Sequence, residues 1–95
     1  SPEKQLEQMR GEWVHVKGHP TFTLSEKGGT YSVTRKSNVR GKMLKTTYQV
    51  AEHDGNLFIE TGFAILLTYD KESDRITLSP GGEYKRVTNP KNRTR

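Results

Sequence analysis

The 95 residues contain no cysteine, which removes disulfides, thiol nucleophiles and thiolate metal sites together. That absence fits a reducing or an oxidising compartment equally. Long apolar runs are missing too. The longest is "FAILL", Phe63 to Leu67, far short of the ~20 residues a membrane-spanning helix needs. The opening "SPEKQLEQMR" lacks the apolar centre of a signal peptide, although an export segment upstream of Ser1 is compatible with this start. Only 29 % of the residues are hydrophobic and one is tryptophan, so a single small domain with a thin core is expected. Each large side chain must then count.

Acidic residues are absent from one long segment. Between Lys27 and Ala51 there is none, while Lys27, Arg35, Lys36, Arg40, Lys42 and Lys45 are all basic. The ending "TNPKNRTR" adds Lys91, Arg93 and Arg95, so the net charge of +5 comes from one segment and one tail. Residues 89–95 have no apolar anchor and are expected to form a disordered basic tail after a domain spanning 1–88. The sequon at Asn92 within it is too short a motif to carry weight.

The first ten residues read as a short helix. Ser1 can cap it, Pro2 suits its first position, and Leu6 and Met9 share a face. Alone it would be marginal in water, so it requires an apolar surface to dock on. After Gly11 the apolar period becomes two. Phe22 and Leu24, Tyr31 and Val33, Tyr48 and Val50, Leu57 and Ile59, Ile65 and Leu67, and Ile76 and Leu78 each alternate with polar residues. Between these runs lie turn signals, "EKGG", "HDGN", "DKESD" and "SPGG", of which Asp54-Gly55 is the best hairpin signal. Connections this short make neighbouring strands antiparallel. The pattern predicts about eight strands of five to seven residues, with one looser connection over Lys36 to Met43. One apolar face per strand and two edges to dispose of favour a small up-and-down barrel over a two-sheet sandwich or a five-stranded oligonucleotide-binding barrel. The expected class is all-β.

The first strand is apolar on both faces, with Trp13 and His15 on one and Val14 and Val16 on the other. The helix carrying Leu6 and Met9 can cover the outer of these faces, and Trp13 would then plug one end of the barrel. A short helix followed by Gly11-Glu12-Trp13 resembles the opening of lipocalins. The end is similar as well: "ITLSPGGEYKRV" looks like the last hairpin of bacterial lipocalin-like domains, with Tyr84-x-Arg86 in the closing strand. The middle, "TYQVAEHDGNLFIETG", has their strand-turn-strand texture. The resemblance implies that Arg86 packs over Trp13 as a cation–π pair and that Gly11, Trp13, Tyr84 and Arg86 form a structural signature. It also implies a bacterial envelope protein or lipoprotein, or a secreted one. The chain is far shorter than a ligand-carrying lipocalin and lacks the loop that closes the open end, which argues against a spacious cavity.

Few residues offer chemistry. His15 and His19 are four apart, about 13 Å along a strand and too far to share an ion without a bend. His53 beside Asp54 belongs to a turn. Asp70, Glu72 and Asp74 cluster in another turn, where carboxylates cap local backbone groups, and "DKESDR" lacks the features of a calcium loop. The glycine pairs have no helix behind them to cradle phosphate. No catalytic residue, metal ligand or cofactor motif is nominated, and an enzyme is not expected.

Two binding readings remain. Tyr31, Tyr48 and Tyr69 could line a shallow pocket for a small apolar ligand at the open end of the barrel. Alternatively Arg35, Lys36, Arg40, Lys42 and Lys45 form an electrostatic patch for an anionic lipid headgroup, an acidic protein or nucleic acid. Nucleic acid is the less favoured, because no outward-facing aromatic accompanies the charges as a stacking platform. The protein is therefore expected to be a monomeric, non-enzymatic binding or interaction module.

Overall fold

The computed structural model describes residues 2–88. Ser1 and the tail from residue 89 onward, with the capping role and the disorder expected of them, lie outside the described residues. A helix, α1 (Pro2–Gln8), leads into eight strands: β1 (Gly11–His15), β2 (Thr21–Lys27), β3 (Thr30–Val39), β4 (Lys42–His53), β5 (Asn56–Glu60), β6 (Ala64–Asp70), β7 (Arg75–Ser79) and β8 (Gly82–Arg86). Each strand pairs antiparallel with the next, and β8 returns to β1 through Trp13↔Arg86, Val14↔Lys85 and His15↔Tyr84. The protein is an eight-stranded up-and-down β-barrel, as the alternating pattern predicts.

Closure places every second side chain inside. Trp13, Phe22, Leu24, Val33, Ile59, Leu67, Ile76 and Tyr84 are all at most 3 % exposed, and the barrel core contains no buried polar or charged residue among those described. Interior walls this inaccessible leave no water-sized space beside them, so side chains fill the barrel. α1 covers one end with Leu6, and Met9 follows it completely buried. This docking is what the seven-residue helix lacks in isolation.

A meander alternates its connections between two ends. The helix end holds the α1–β1, β2–β3, β4–β5 and β6–β7 connections. The far end holds β1–β2, β3–β4, β5–β6 and β7–β8. Here the structure departs from the expected uniform strands. β3 is 10 residues long and β4 is 12, and the Lys36–Met43 connection is no loose loop. Its residues pair in register through Lys36↔Lys45, Ser37↔Leu44, Asn38↔Met43 and Val39↔Lys42. Arg40 and Gly41 make the turn with φ of 53° and 81°, the left-handed pair of a tight type I′ hairpin, and Asn38 Oδ1 accepts from Gly41 N at 3.0 Å. β2 pairs with β3 only as far as Arg35, and β5 with β4 only from Val50. The remainder is a two-stranded ribbon standing beyond the barrel wall.

Candidate functional site

The two ends of the barrel are built from different chemistry. At the helix end, Trp13 and Arg86 form a lock. Trp13 is fully buried and the Arg86 guanidinium lies over its ring, 4.5 Å from the centroid. Trp13 Nε1 donates to Met9 O at 2.8 Å, while Arg86 Nη2 donates to Gln8 O and Nη1 to Arg10 O, each at 2.7 Å. Three successive carbonyls at the end of α1 are thereby satisfied, two by a cation where the helix dipole is negative. Gly11 lies in the left-handed region at φ 135°, and a Cβ there would sit 2.8 Å from Arg86 Nη1. The Gly11-Glu12-Trp13 spacing thus has a physical reason: the glycine leaves room for the arginine that covers the tryptophan. Tyr84, 2 % exposed, packs its ring 4.9 Å from that of Phe22.

Asp74 completes the lock. Arg86 Nε donates to Asp74 Oδ2 at 2.8 Å and Nη2 to Oδ1 at 3.1 Å, a two-pronged pairing. The guanidinium holds the Asp74 carboxyl below its ordinary value, and Asp74 in turn raises Arg86. Tyr69 donates to Asp74 Oδ1 at 2.7 Å and sets its ring edge-on to Trp13, 6.2 Å away. Burial first, and then the bond to Asp74, push the Tyr69 phenol up. Asp74 in "DKESD" reads from sequence as one of three loop carboxylates, and nothing local reveals its distant partner.

The three tyrosines named as a ligand rim do not meet. Tyr31 is buried at the helix end and donates to Glu7 of α1, a bond that pushes the phenol up to about 12 and lowers the Glu7 carboxyl. Tyr69 belongs to the lock, also at the helix end. Tyr48 packs half-buried against the core beside Val33. The open-end pocket is therefore corrected: two of its three residues lie at the opposite, closed end. Concave surface lies beside α1 instead, in a groove of about 230 Å³ lined by Pro2, Leu6, Tyr31, Val50 and Leu57.

The ribbon gathers the five predicted cations but splits them. Arg35 and Lys42 share the face that continues the barrel interior, with Val39 and Leu44. Lys36 and Lys45 stand opposite one another on the outer face, with Met43, and Arg40 sits in the turn. Every residue from Arg35 to Thr47 is exposed. None of the five cations is in an ion pair among the described residues. The expectation of a single patch on a loop is thus corrected to two basic faces on a paired two-stranded arm.

Sequence reasoning missed the apolar residues around these charges. Six large hydrophobic side chains are exposed, and five of them, Val16, Val39, Met43, Leu44 and Phe63, lie at the far end. The acids are arranged in the opposite sense. Glu3, Glu7, Glu12, Glu26, Glu52, Asp54, Asp70, Glu72 and Asp74 lie in elements or turns at the helix end. Only Glu60 and Glu83 lie toward the far end, and Glu83 is held by Arg75 at 2.9 Å. The far-end cations are Lys17 and the ribbon five. A signal existed in "VRGKML", where X-Gly sits between residues of matching alternation, but Arg-Gly is a weaker turn cue than Asn-Gly or Asp-Gly.

The histidines do not form a site. His15 Nδ1 accepts from Lys17 N at 3.1 Å, and its ring packs edge-on to Tyr84. His53 lies 3.8 Å from Glu60 on the outer wall. No group of three metal-ligating side chains comes together among the described residues. Among the described residues no helix is long and apolar enough to cross a membrane.

The family described as "Domain of unknown function, B. Theta Gene description (DUF3876)" matches residues 1–86, which take in the helix, all eight strands and the closing Arg86. The chain belongs to this family. Neither the curated proteins nor the solved structures contain a match. In DUF3876 terms, the matched region runs from the helix that caps the barrel to the arginine that ties the cap down. It also includes the whole ribbon.

Proposed function

We propose that this DUF3876 domain is a non-enzymatic binding module whose barrel is a filled scaffold and whose binding element is the β3–β4 ribbon. One observation carries the reading: residues 35–47 are exposed on both faces and hold five cations without an ion pair among the described residues, while the buried inward side chains fill the barrel. A long two-stranded arm without a core of its own is costly to keep ordered, and its persistence in a packed protein points to use. The Gly11, Trp13 and Arg86 contacts support a relationship to lipocalins in shortened form, with side chains where those proteins hold ligands. An envelope or secreted location of a bacterial protein or lipoprotein is proposed with that relationship.

Salt-gradient elution from a polyanionic heparin matrix tests the reading. Arg40→Gln, Lys42→Gln and Lys45→Gln together should elute at clearly lower salt than Lys27→Gln, Lys71→Gln and Lys85→Gln together, although both variants lose the same charge. Equal elution would remove the ribbon as the binding element. Titration with a fatty acid should leave Trp13 fluorescence unchanged, and a saturable change would return the interior to consideration.

A further inference from the structure

We propose that the far end of the barrel docks on an anionic lipid bilayer, with the tip of the ribbon seated in the headgroup region. The inference rests on the reading of the ribbon as the binding element and names its partner.

Three observations favour a bilayer. The first is composition. Val39, Met43 and Leu44 are 47 %, 61 % and 50 % exposed, interleaved with Arg40, Lys42 and Lys45. Aliphatic side chains beside lysine and arginine match an interface that is apolar below and anionic above. A surface for single-stranded nucleic acid would call instead for aromatic stacking platforms, and residues 35–47 contain none. The second is symmetry about the arm. Leu44 and Lys42 lie on one face, Met43 and Lys45 on the other. A folded partner that docks on one face of such an arm leaves the other in water. Lipid surrounds an inserted tip and meets both.

The third observation is polarity of the whole molecule. Phe63, 67 % exposed in the β5–β6 connection, and Val16 with Lys17 in the β1–β2 connection lie at the same end as the ribbon tip. Nine of the acids are at the other end. Seven of the described cations share the helix end with those acids and nearly balance them, whereas the far end sets six cations against Glu60 and Glu83. A negatively charged surface therefore attracts the far end more strongly and orients the barrel before contact.

Sedimentation of the full chain with vesicles provides the test. One set contains phosphatidylcholine with roughly 30 % phosphatidylglycerol and the other phosphatidylcholine alone. The chain should partition onto the first and not the second. Lys42→Gln with Lys45→Gln should weaken partitioning by about 30-fold, the product of two lost surface cations. Met43→Ser with Leu44→Ser should weaken it by at least about tenfold without altering charge. In Met43→Trp, vesicles should blue-shift the emission of the new indole against the constant background of buried Trp13. Thermal midpoints of the variants check that each folds. Loss of partitioning with heparin retention intact would overturn the bilayer alone, and loss of both would overturn the ribbon reading as well. Unchanged partitioning in Met43→Ser with Leu44→Ser overturns insertion of the tip. Tighter binding to a DNA duplex than to the anionic vesicles, or a dimer in sedimentation velocity that the serine variant dissolves, assigns the ribbon to nucleic acid or to a second copy and likewise overturns the proposal.

Discussion

The helix end and the ribbon end of this barrel use the same residue types for opposite purposes. At the helix end an arginine, Arg86, is held by Asp74 and by Gln8 O and Arg10 O and covers a buried tryptophan. At the ribbon end another arginine, Arg40, stands in an exposed turn without an ion pair among the described residues. Apolar side chains divide in the same way: Leu6 and Met9 are buried under the cap, whereas Met43 and Leu44 are in water. The difference teaches where stability resides. One end spends its polar groups on each other and on the backbone. The other leaves them available to a partner. A small domain can keep such an arm only because its fourteen-residue core is anchored elsewhere.

The largest expected effect is at the lock. Trp13→Ala should cost ~3–5 kcal/mol, enough to unfold a domain of ordinary stability. Denaturant unfolding checks this, and a loss below ~1 kcal/mol would break the comparison by showing that the cap is dispensable. Next is Arg86→Lys, which keeps the charge but loses the planar fork shared among Asp74, Gln8 O and Arg10 O. A loss of ~2 kcal/mol is expected.

The pH dependence should come from the same end. Asp74 and Glu7 have folded values below their unfolded ones, so their contribution is present above the unfolded carboxylate range and is lost as pH falls through the depressed values. Acid unfolding should therefore set in below about pH 4 and flatten in Asp74→Asn. Tyr31 has the opposite sign of shift. Its contribution is complete below about pH 10 and disappears as pH rises through the folded value of about 12. Thermal midpoints across pH in wild type, Asp74→Asn and Tyr31→Phe would sharpen the contrast, and an acid transition unchanged in Asp74→Asn would count against the lock.

The smallest effects belong to the ribbon. Arg40→Gln, Lys42→Gln and Lys45→Gln together should change stability by less than ~0.5 kcal/mol. Lys45→Thr alone should stabilise slightly, by ~0.2–1 kcal/mol, because Lys45 faces Lys36 directly across the outer face. A large loss in the triple variant would mean that the arm supports the barrel, and the two ends would no longer differ in kind.

Much of the barrel was legible in local pattern. Alternation such as Phe22-Thr23-Leu24 marks a strand with one buried face whatever its neighbours are, and Asp54-Gly55 fixes a hairpin through its own backbone preference. The Leu6 and Met9 face announced a helix that needed cover, and Gly11-Glu12-Trp13 with Arg86 pointed to the contact that holds it. The ribbon was not legible by the same rule. Both of its faces meet water, so it has no period to read, and Ser37 and Asn38 favour loops over strands. What the sequence by itself determined is the all-β meander, its turns and the residues of its core, because these follow from the spacing of apolar side chains along the chain. Only the tertiary structure decided that Asp74 would meet Arg86, that Tyr31 and Tyr69 would share the closed end, and that the ribbon cations and most exposed aliphatics would gather at the end opposite most of the acids. Those are relations between residues far apart in sequence, and barrel closure, strand length and register bring them together.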